Sequence, residues 1–351
     1  MKVFSRRPVR AAAVTAFART PLTRNLLWAS ALTLGFLPSA AWACACGCGV
    51  FDVGAASLMP ADSDTGLSVW FRYDYMNQSQ NWEGSSKAPA SDNADKEIRT
   101  NFFTPGAEYM IDRDWTVMAE LPIYNRHLTT TDDGSVAGPA GSIYTGYLTS
   151  LGDLQVTGIY TGLSDDMSTG ISFGMKFPTG DFSGPNGPLG GAEFDRDSLP
   201  GTGSTDLMIG GYHVGGLNAD STLAYFVQAR YQFAVATQDQ YRPGNELDAA
   251  VGLTYDFGDV GPFTKIAPLL QLIGSYREKD SLANADPINS GYTRLLIGPG
   301  VEARFEKFRL YADVEFPIYQ FTNAASNLNI EGDSGQLVAP VLVKVQLSYD
   351  F

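Results

Sequence analysis

Beyond residue 65 the chain alternates apolar and polar positions with a period of two, the mark of strands with two different faces. Its last stretch sets Val341, Val343, Val345, Leu347, Tyr349 and Phe351 on one face and Lys344, Gln346, Ser348 and Asp350 on the other. An apolar face that ends in an aromatic pair, backed by a charged face, fits a strand between lipid and a polar lumen. Clusters of Gly, Pro, Asn and Asp delimit twelve such segments. They are roughly Gly66 to Asn77, Ile98 to Ile111, Trp115 to Arg126, Leu151 to Leu163, Ser168 to Pro178, Thr202 to Val214, Ser221 to Phe233, Asn245 to Phe257, Pro262 to Arg277, Gly291 to Phe305, Phe308 to Tyr319, and Gln336 to Phe351. Each is long enough to cross a bilayer at a tilt.

The connections alternate strictly in length. Gln78 to Glu97, His127 to Ser150, Thr179 to Gly201, Ala234 to Gly244, Glu278 to Ser290 and Gln320 to Gly335 are long. Asp112 to Asp114, Ser164 to Met167, Gly215 to Asp220, Gly258 to Gly261 and Glu306 to Lys307 are tight. Short periplasmic turns, longer external loops and an even strand number describe an all-β, antiparallel, up-and-down transmembrane β-barrel. A soluble sandwich or propeller has no reason for that asymmetry. No run of about 18 apolar residues follows the amino-terminal region, which excludes a helical span there. A bilayer then admits only a closed barrel.

Leu67, Val69, Phe71, Tyr73 and Tyr75 of the first strand, and Phe308, Leu310, Ala312, Val314, Phe316 and Ile318 of the eleventh, make a lipid face. Their alternates, with Arg230 and Asp248 from other strands, turn to the lumen, because a lipid-facing Arg near the midplane costs about 2–4 kcal/mol. The sixth and ninth strands are apolar on both faces and leave their register open. Glu120-Leu121-Pro122-Ile123-Tyr124 recurs as Glu315-Phe316-Pro317-Ile318-Tyr319, each at the external end of its strand with Glu, Pro and Tyr inward. A polar and aromatic collar is one reading; Pro ending the pairing near the rim is the plainer one.

Residues 1–43 carry Lys2, Arg6, Arg7, Arg10, Arg19 and Arg24 and no acid, then the apolar run Leu26 to Leu37, then Ala41-Trp42-Ala43. That is the order of a secretory signal. Ser5-Arg6-Arg7 suggests a twin-arginine variant, against which stand Pro8 and the distance to the apolar run. Losing those six cations takes the formal charge from −14 to −20. So acidic a chain excludes nucleic acid as a partner, and solvated acidic loops account for the imbalance. The expected organisation is a signal at 1–43, a periplasmic Cys-containing segment at 44–65 and a barrel at 66–351.

Cys44, Cys46 and Cys48 are all the cysteines, on every second residue. Three thiolates at that spacing suit a soft ion such as Cu(I); a lipidated Cys44 and a tail without special role are the other readings. His127 and His213 fall at opposite rims, on the order of 25 Å apart, and cannot share a metal. A lipase needs a Ser and a His within hydrogen-bond reach on the lipid side; His127 has no Ser in its own strand and no hydrolase motif around it.

Lys176-Phe177-Pro178-Thr179-Gly180-Asp181, followed by Gly201-Thr202-Gly203-Ser204-Thr205-Asp206-Leu207, is the most distinctive local pattern. It resembles the outer-membrane β-barrel transporter family named for the meta pathway of phenol degradation. That family shows a Pro-Thr-Gly-Asp strand end and a Gly-Thr-Gly start of the next strand. The resemblance covers the middle of the barrel and, generically, the terminal strand; the cysteine-rich start is not part of it. It implies a channel or transporter with no catalytic residues to carry over. Terminal Phe351 likewise resembles the signal read by the barrel-assembly machinery of the Gram-negative outer membrane.

The expectation is therefore an outer-membrane channel for small organic, including aromatic, solutes, with outer-membrane lipid and the assembly machinery as further partners. Twelve strands are fewer than the sixteen to eighteen that leave a wide aqueous bore, and the loop from Thr179 to Gly201 is the candidate constriction. Lumen candidates are Trp70, Arg72, Glu120, Tyr124, Lys176, Asp181, Arg230, Arg309, Glu315, Tyr319 and Lys344, with Tyr311 as a further inward aromatic. No enzyme and no cofactor is expected apart from the soft metal. The alternative is a non-conducting barrel whose cysteines bind that metal or a periplasmic partner; a lipase is the third.

Overall fold

The structure, a computed structural model, describes residues 65–131, 141–182, 194–324 and 335–351. The signal and the segment holding Cys44, Cys46 and Cys48 lie outside the described residues. Among those described, the strands are β1 (Gly66–Gln78), β2 (Gln80–Glu83), β3 (Ser86–Lys87), β4 (Asp95–Met110), β5 (Trp115–Glu120), β6 (Ile123–Thr131), β7 (Ile143–Leu151), β8 (Leu154–Tyr160) and β9 (Thr169–Phe177). They continue as β10 (Ser204–Gly216), β11 (Leu223–Thr237), β12 (Glu246–Tyr255), β13 (Lys265–Arg277), β14 (Tyr292–Phe305), β15 (Phe308–Thr322), β16 (Gln336–Val338) and β17 (Leu342–Asp350). Fourteen join in one antiparallel sheet, and β1 bonds to both β17 and β4, so the sheet closes on itself. The pairs β5/β6 and β7/β8 are halves of two interrupted strands, and the result is a closed twelve-stranded barrel. Closure leaves no edge, as a bilayer demands of strands.

Register follows from what each face meets. Across β1 and β17, Phe71 opposes Leu347 while Asp74 opposes Lys344. A slip by one residue would put the charges into lipid. The outer surface carries Phe71, Tyr109, Phe173, Val251, Leu272 and Phe316, all exposed. Rings gather at the ends of strands on the short-turn side: Trp115 with Tyr160 at 4.9 Å, Tyr255 with Phe257 at 4.9 Å, Phe308 with Tyr349 at 5.0 Å and Tyr349 with Phe351 at 4.9 Å. Such a girdle marks the level where hydrocarbon gives way to headgroups.

The largest shifts of the expected boundaries have local reasons. The third and fourth strands reach outward to Thr131 and back to Ile143, past the expected Arg126 and Leu151, and each is broken. The breaks fall at Leu121-Pro122, where Pro lacks a ladder N–H, and at Gly152-Asp153. The expected last strand splits, because Pro340 interrupts it: β16 leaves the barrel to pair with β2 in a small external sheet, and β17 starts at Leu342.

The ambiguous registers are settled by the lumen's interior. On β13, Ala267, Leu269, Gln271, Ile273 and Ser275 are buried while Leu270, Leu272 and Tyr276 are exposed. On β10, Asp206, Met208 and Tyr212 are buried and Ile209 is exposed. Apolar residues face inward because the lumen is packed. Met76, Phe102, Phe226, Ile273, Tyr292, Leu296 and Leu342 form one cluster; Trp70, Met118, Ile159 and Tyr212 form another.

Candidate functional site

The Lys-Phe-Pro-Thr-Gly-Asp and Gly-Thr-Gly segments meet at the break between β7 and β8. Asp153, 5% exposed, is their centre. Its carboxylate accepts the Gly180 N–H at 3.0 Å, the Thr202 N–H at 3.0 Å and the Thr202 hydroxyl at 2.8 Å. Lys176 Nζ lies 3.3 Å from it and 2.8 Å from Asp206. Thr179 Oγ1 accepts the Leu154 N–H at 2.8 Å and donates to the Gly152 carbonyl at 3.1 Å. Three backbones cross here. A Cβ on Gly180 would come within 2.7 Å of Gly201 Cα, and one on Gly201 within 2.4 Å of the Gly180 carbonyl carbon. Only Gly lets chains approach so closely. A buried carboxylate is tolerable because donors surround it.

Inside this knot lies a cavity of about 150 Å³. Its wall combines the rings of Phe102, Tyr124, Tyr241 and Tyr292 with Arg72, Lys176, Arg196, Arg230 and Arg277, and with Asp74, Glu120, Asp206 and Glu246. The charges are mutually paired: Arg72 Nε lies 3.0 Å from Asp74 and its Nη1 3.6 Å from Glu120, and Arg230 lies 3.3 Å from Asp248. Residues 195–202 and 241–244 cover the external side. Arg196 sits 4.3 Å from the ring centre of Tyr241 and donates to the Thr202 carbonyl at 2.7 Å. Arg126, 1% exposed, donates to the Ser198 carbonyl and, at 2.9 Å, to Thr100. Tyr241 donates to Asp280 at 2.6 Å. Burial, and then the nearby Asp280 carboxylate, hold that phenol's pKa well above its ordinary value. Burial lowers that of Arg196.

Of the residues singled out from sequence, Arg72, Glu120, Tyr124, Lys176 and Arg230 line this cavity. Trp70 does not; it packs with Met118, Ile159 and Tyr212. Glu315 and Lys344, 3.6 Å apart, are buried away from the cavity, and Tyr311 bonds to Asp313 at 2.8 Å. Arg309 reaches Glu108 at 3.8 Å, at the short-turn end. Asp181 is half-buried outside the lining, its carbonyl accepting the Gly201 N–H at 2.9 Å. Tyr319 points the opposite way from expectation: it is 48% exposed on the outer surface. The ladder steps from Tyr319 opposite Leu295 to Pro317 opposite Leu296, so Ile318 is an extra residue. That bulge after Pro317 puts both Ile318 and Tyr319 outside. The two Glu-x-Pro-Ile-Tyr copies therefore differ, since Tyr124 turns inward and packs on Phe102 at 4.9 Å. His127 packs at a tilt against Tyr147, ring centres 4.5 Å apart, and His213 bonds to Thr169 at 2.8 Å and Tyr225 at 3.1 Å.

No protein-family model and no curated protein matches the sequence. The crystal structure of the COG4313 outer membrane channel from Pseudomonas putida F1 superposes with a TM-score of 0.59 at 12% identity, over 84% of this chain and 100% of that one. The chain has the fold of a Gram-negative outer-membrane β-barrel. Two others align more loosely. The β domain of the Bordetella autotransporter BrkA gives 0.47 at 12% identity, covering 82% of this chain and 100% of that one. The P. putida toluene transporter TodX gives 0.40 at 10%, covering 82% and 90%.

Several residues of the barrel's cavity were not found from sequence. Asp153 lay inside an expected continuous strand, although Gly-Asp within an alternating run is a signal for a bulge or break. Arg196 and Tyr241 stand in long loops, where no periodicity says which side chain turns inward.

Proposed function

We propose that the barrel is an outer-membrane channel for single-ring aromatic solutes carrying a polar or anionic group. The observation that carries this reading is the cavity: about 150 Å³ on the external side of the lumen, walled by rings and by five cations interspersed with six carboxylates, under a loop tied to the wall. A dry cavity of about that volume accommodates benzene. Here a solute carboxylate would take a guanidinium or ammonium partner in exchange with one of the wall's own carboxylates. The pattern around Lys176 and Gly201 that resembles the family named for the meta pathway of phenol degradation agrees with such a solute. Rows of paired charges inward of the cavity give a small polar solute successive exchange partners, so facilitated passage is expected rather than an open bore.

Protein-dependent uptake into proteoliposomes, with entry into protein-free vesicles of the same lipid subtracted, tests this, with benzoate, toluene, glucose and inorganic phosphate compared. Benzoate should enter faster than the rest; toluene entering faster than benzoate, or equal rates for all four, would overturn the proposal. A sealed, non-conducting barrel is the second reading, favoured by the burial of Asp313, Glu315 and Lys344 within the lumen. It predicts no uptake of any solute. The soft-metal role of Cys44, Cys46 and Cys48 remains a separate proposal, tested by Cu(I) titration of the mature chain against its triple Ser variant; equal stoichiometry would end it.

A further inference from the structure

At the short-turn end of the lumen a second cavity, of about 60 Å³, opens between β1, β4, β5 and β17. Glu108, Asp350, Ser68 and Thr116 line it. Register brings them there: Ser68 of β1 opposes Glu108 of β4 on one side and Asp350 of β17 on the other. Thr116 of β5 opposes Met110, two residues beyond Glu108 on β4. All four donors are oxygens.

Among the described residues these oxygens lack partners. Ser68 and Thr116 are 2% and 1% exposed, yet neither hydroxyl has a hydrogen-bond partner, and one carboxylate oxygen of Asp350 has none. Glu108, 8% exposed, meets Arg309 at 3.8 Å, beyond hydrogen-bond length. Buried oxygens left this way call for a further group in the cavity. The backbone of β1, β4, β5 and β17 is already paired in the ladder. With two carboxylates against one guanidinium, the site is net acidic.

We propose that this rim cavity binds a hard divalent cation of the calcium class, held by Glu108, Asp350, Ser68 and Thr116. Calcium accepts carboxylate, hydroxyl, carbonyl and water oxygens in flexible geometry, so four side chains with waters suffice. The ion would bridge β17 to β1 and β4, across the seam where the barrel closes. Arg309 stands where it competes for Glu108, and its removal should strengthen binding.

Tryptophan-sensitised terbium luminescence on the mature protein in detergent tests the site, since Trp70 is the next residue of β1 on the same face. One saturable terbium site, displaced by calcium, is expected. Asp350→Asn, and Ser68→Ala combined with Thr116→Val, should each weaken it at least about tenfold, and Arg309→Gln should tighten it. Heat-modifiable mobility verifies that each variant is a folded barrel. The proposal fails if the wild-type barrel shows no saturable signal, or if folded variants bind as the wild type does. In the latter case the acidic external loops hold the ion, and in the former the cavity holds water alone.

Discussion

Replacing Asp153 by Asn keeps the shape of the side chain at the loop anchor and removes its charge. Asp153 accepts three hydrogen bonds of 2.8 to 3.0 Å and faces Lys176 at 3.3 Å. Bonds to a charged acceptor contribute about 1.5–3 kcal/mol each. Asn retains one acceptor oxygen and turns an NH2 group toward donors. Lys176 keeps Asp206 at 2.8 Å, so no cation is left alone. The loss therefore falls at about 2–4 kcal/mol, short of the upper range for an orphaned buried charge. With a factor of ten per 1.4 kcal/mol, the fraction with this anchor open rises roughly thirty- to several-hundredfold. Amide hydrogen exchange reads that fraction directly at Gly180 and Thr202, whose N–H groups bond to the carboxylate. Asp206→Asn is the contrast: Asp206 bonds to Ser204 at 2.6 Å and Gln232 at 2.7 Å, not to those amides, so their exchange should stay near wild type. Unchanged exchange at Gly180 and Thr202 in a folded Asp153→Asn barrel would refute the anchoring.

Other consequences are as direct. Gly201→Ala sets a Cβ 2.4 Å from the Gly180 backbone, which no rotamer relieves, and should accelerate proteolysis of the external loop. Val251→Arg puts a cation in the middle of a lipid-facing strand and should cost about 2–4 kcal/mol in reversible folding into vesicles. Little or no loss would place Val251 away from the hydrocarbon. Tyr241 has a folded pKa raised above the ordinary 10.0, so its contribution is complete below about pH 10 and is lost as pH rises through the folded value. Alkaline titration should place Tyr241 among the late-ionising phenols, and its ionisation should come with faster exchange at Gly244, whose N–H bonds to Asp280 at 2.7 Å. Tyr241→Phe should remove one phenol from the late step and uncouple it from exchange at Gly244.

The barrel was legible because lipid and lumen impose opposite chemistries on alternate residues, as in Phe71 beside Arg72. Legibility failed where one of the two solvents is replaced. Ile273 faces inward against Tyr292 and Leu296, so β13 is apolar on both faces and its register cannot be read from periodicity. It failed again where an extra residue breaks the count: Tyr319 lies beyond a bulge, and parity carried across it gives the wrong face. Proline marked interruptions without saying what followed. Pro122 and Pro340 both end pairing, but the first leaves the chain in the wall while the second follows a detour into an external sheet. The cavity was half legible. Strand residues Arg72, Glu120 and Lys176 declared themselves by alternation, whereas Arg196 and Tyr241 reach it through loop folds fixed by Arg126, Asp153 and Asp280.

Single-channel recording in planar bilayers bears most directly on solute passage through the lumen. Wild-type barrels should show brief, small openings that lengthen with Asp153→Asn and shorten when benzoate occupies the cavity. Persistent silence from both barrels, with their folded state verified by heat-modifiable mobility, would contradict a channel.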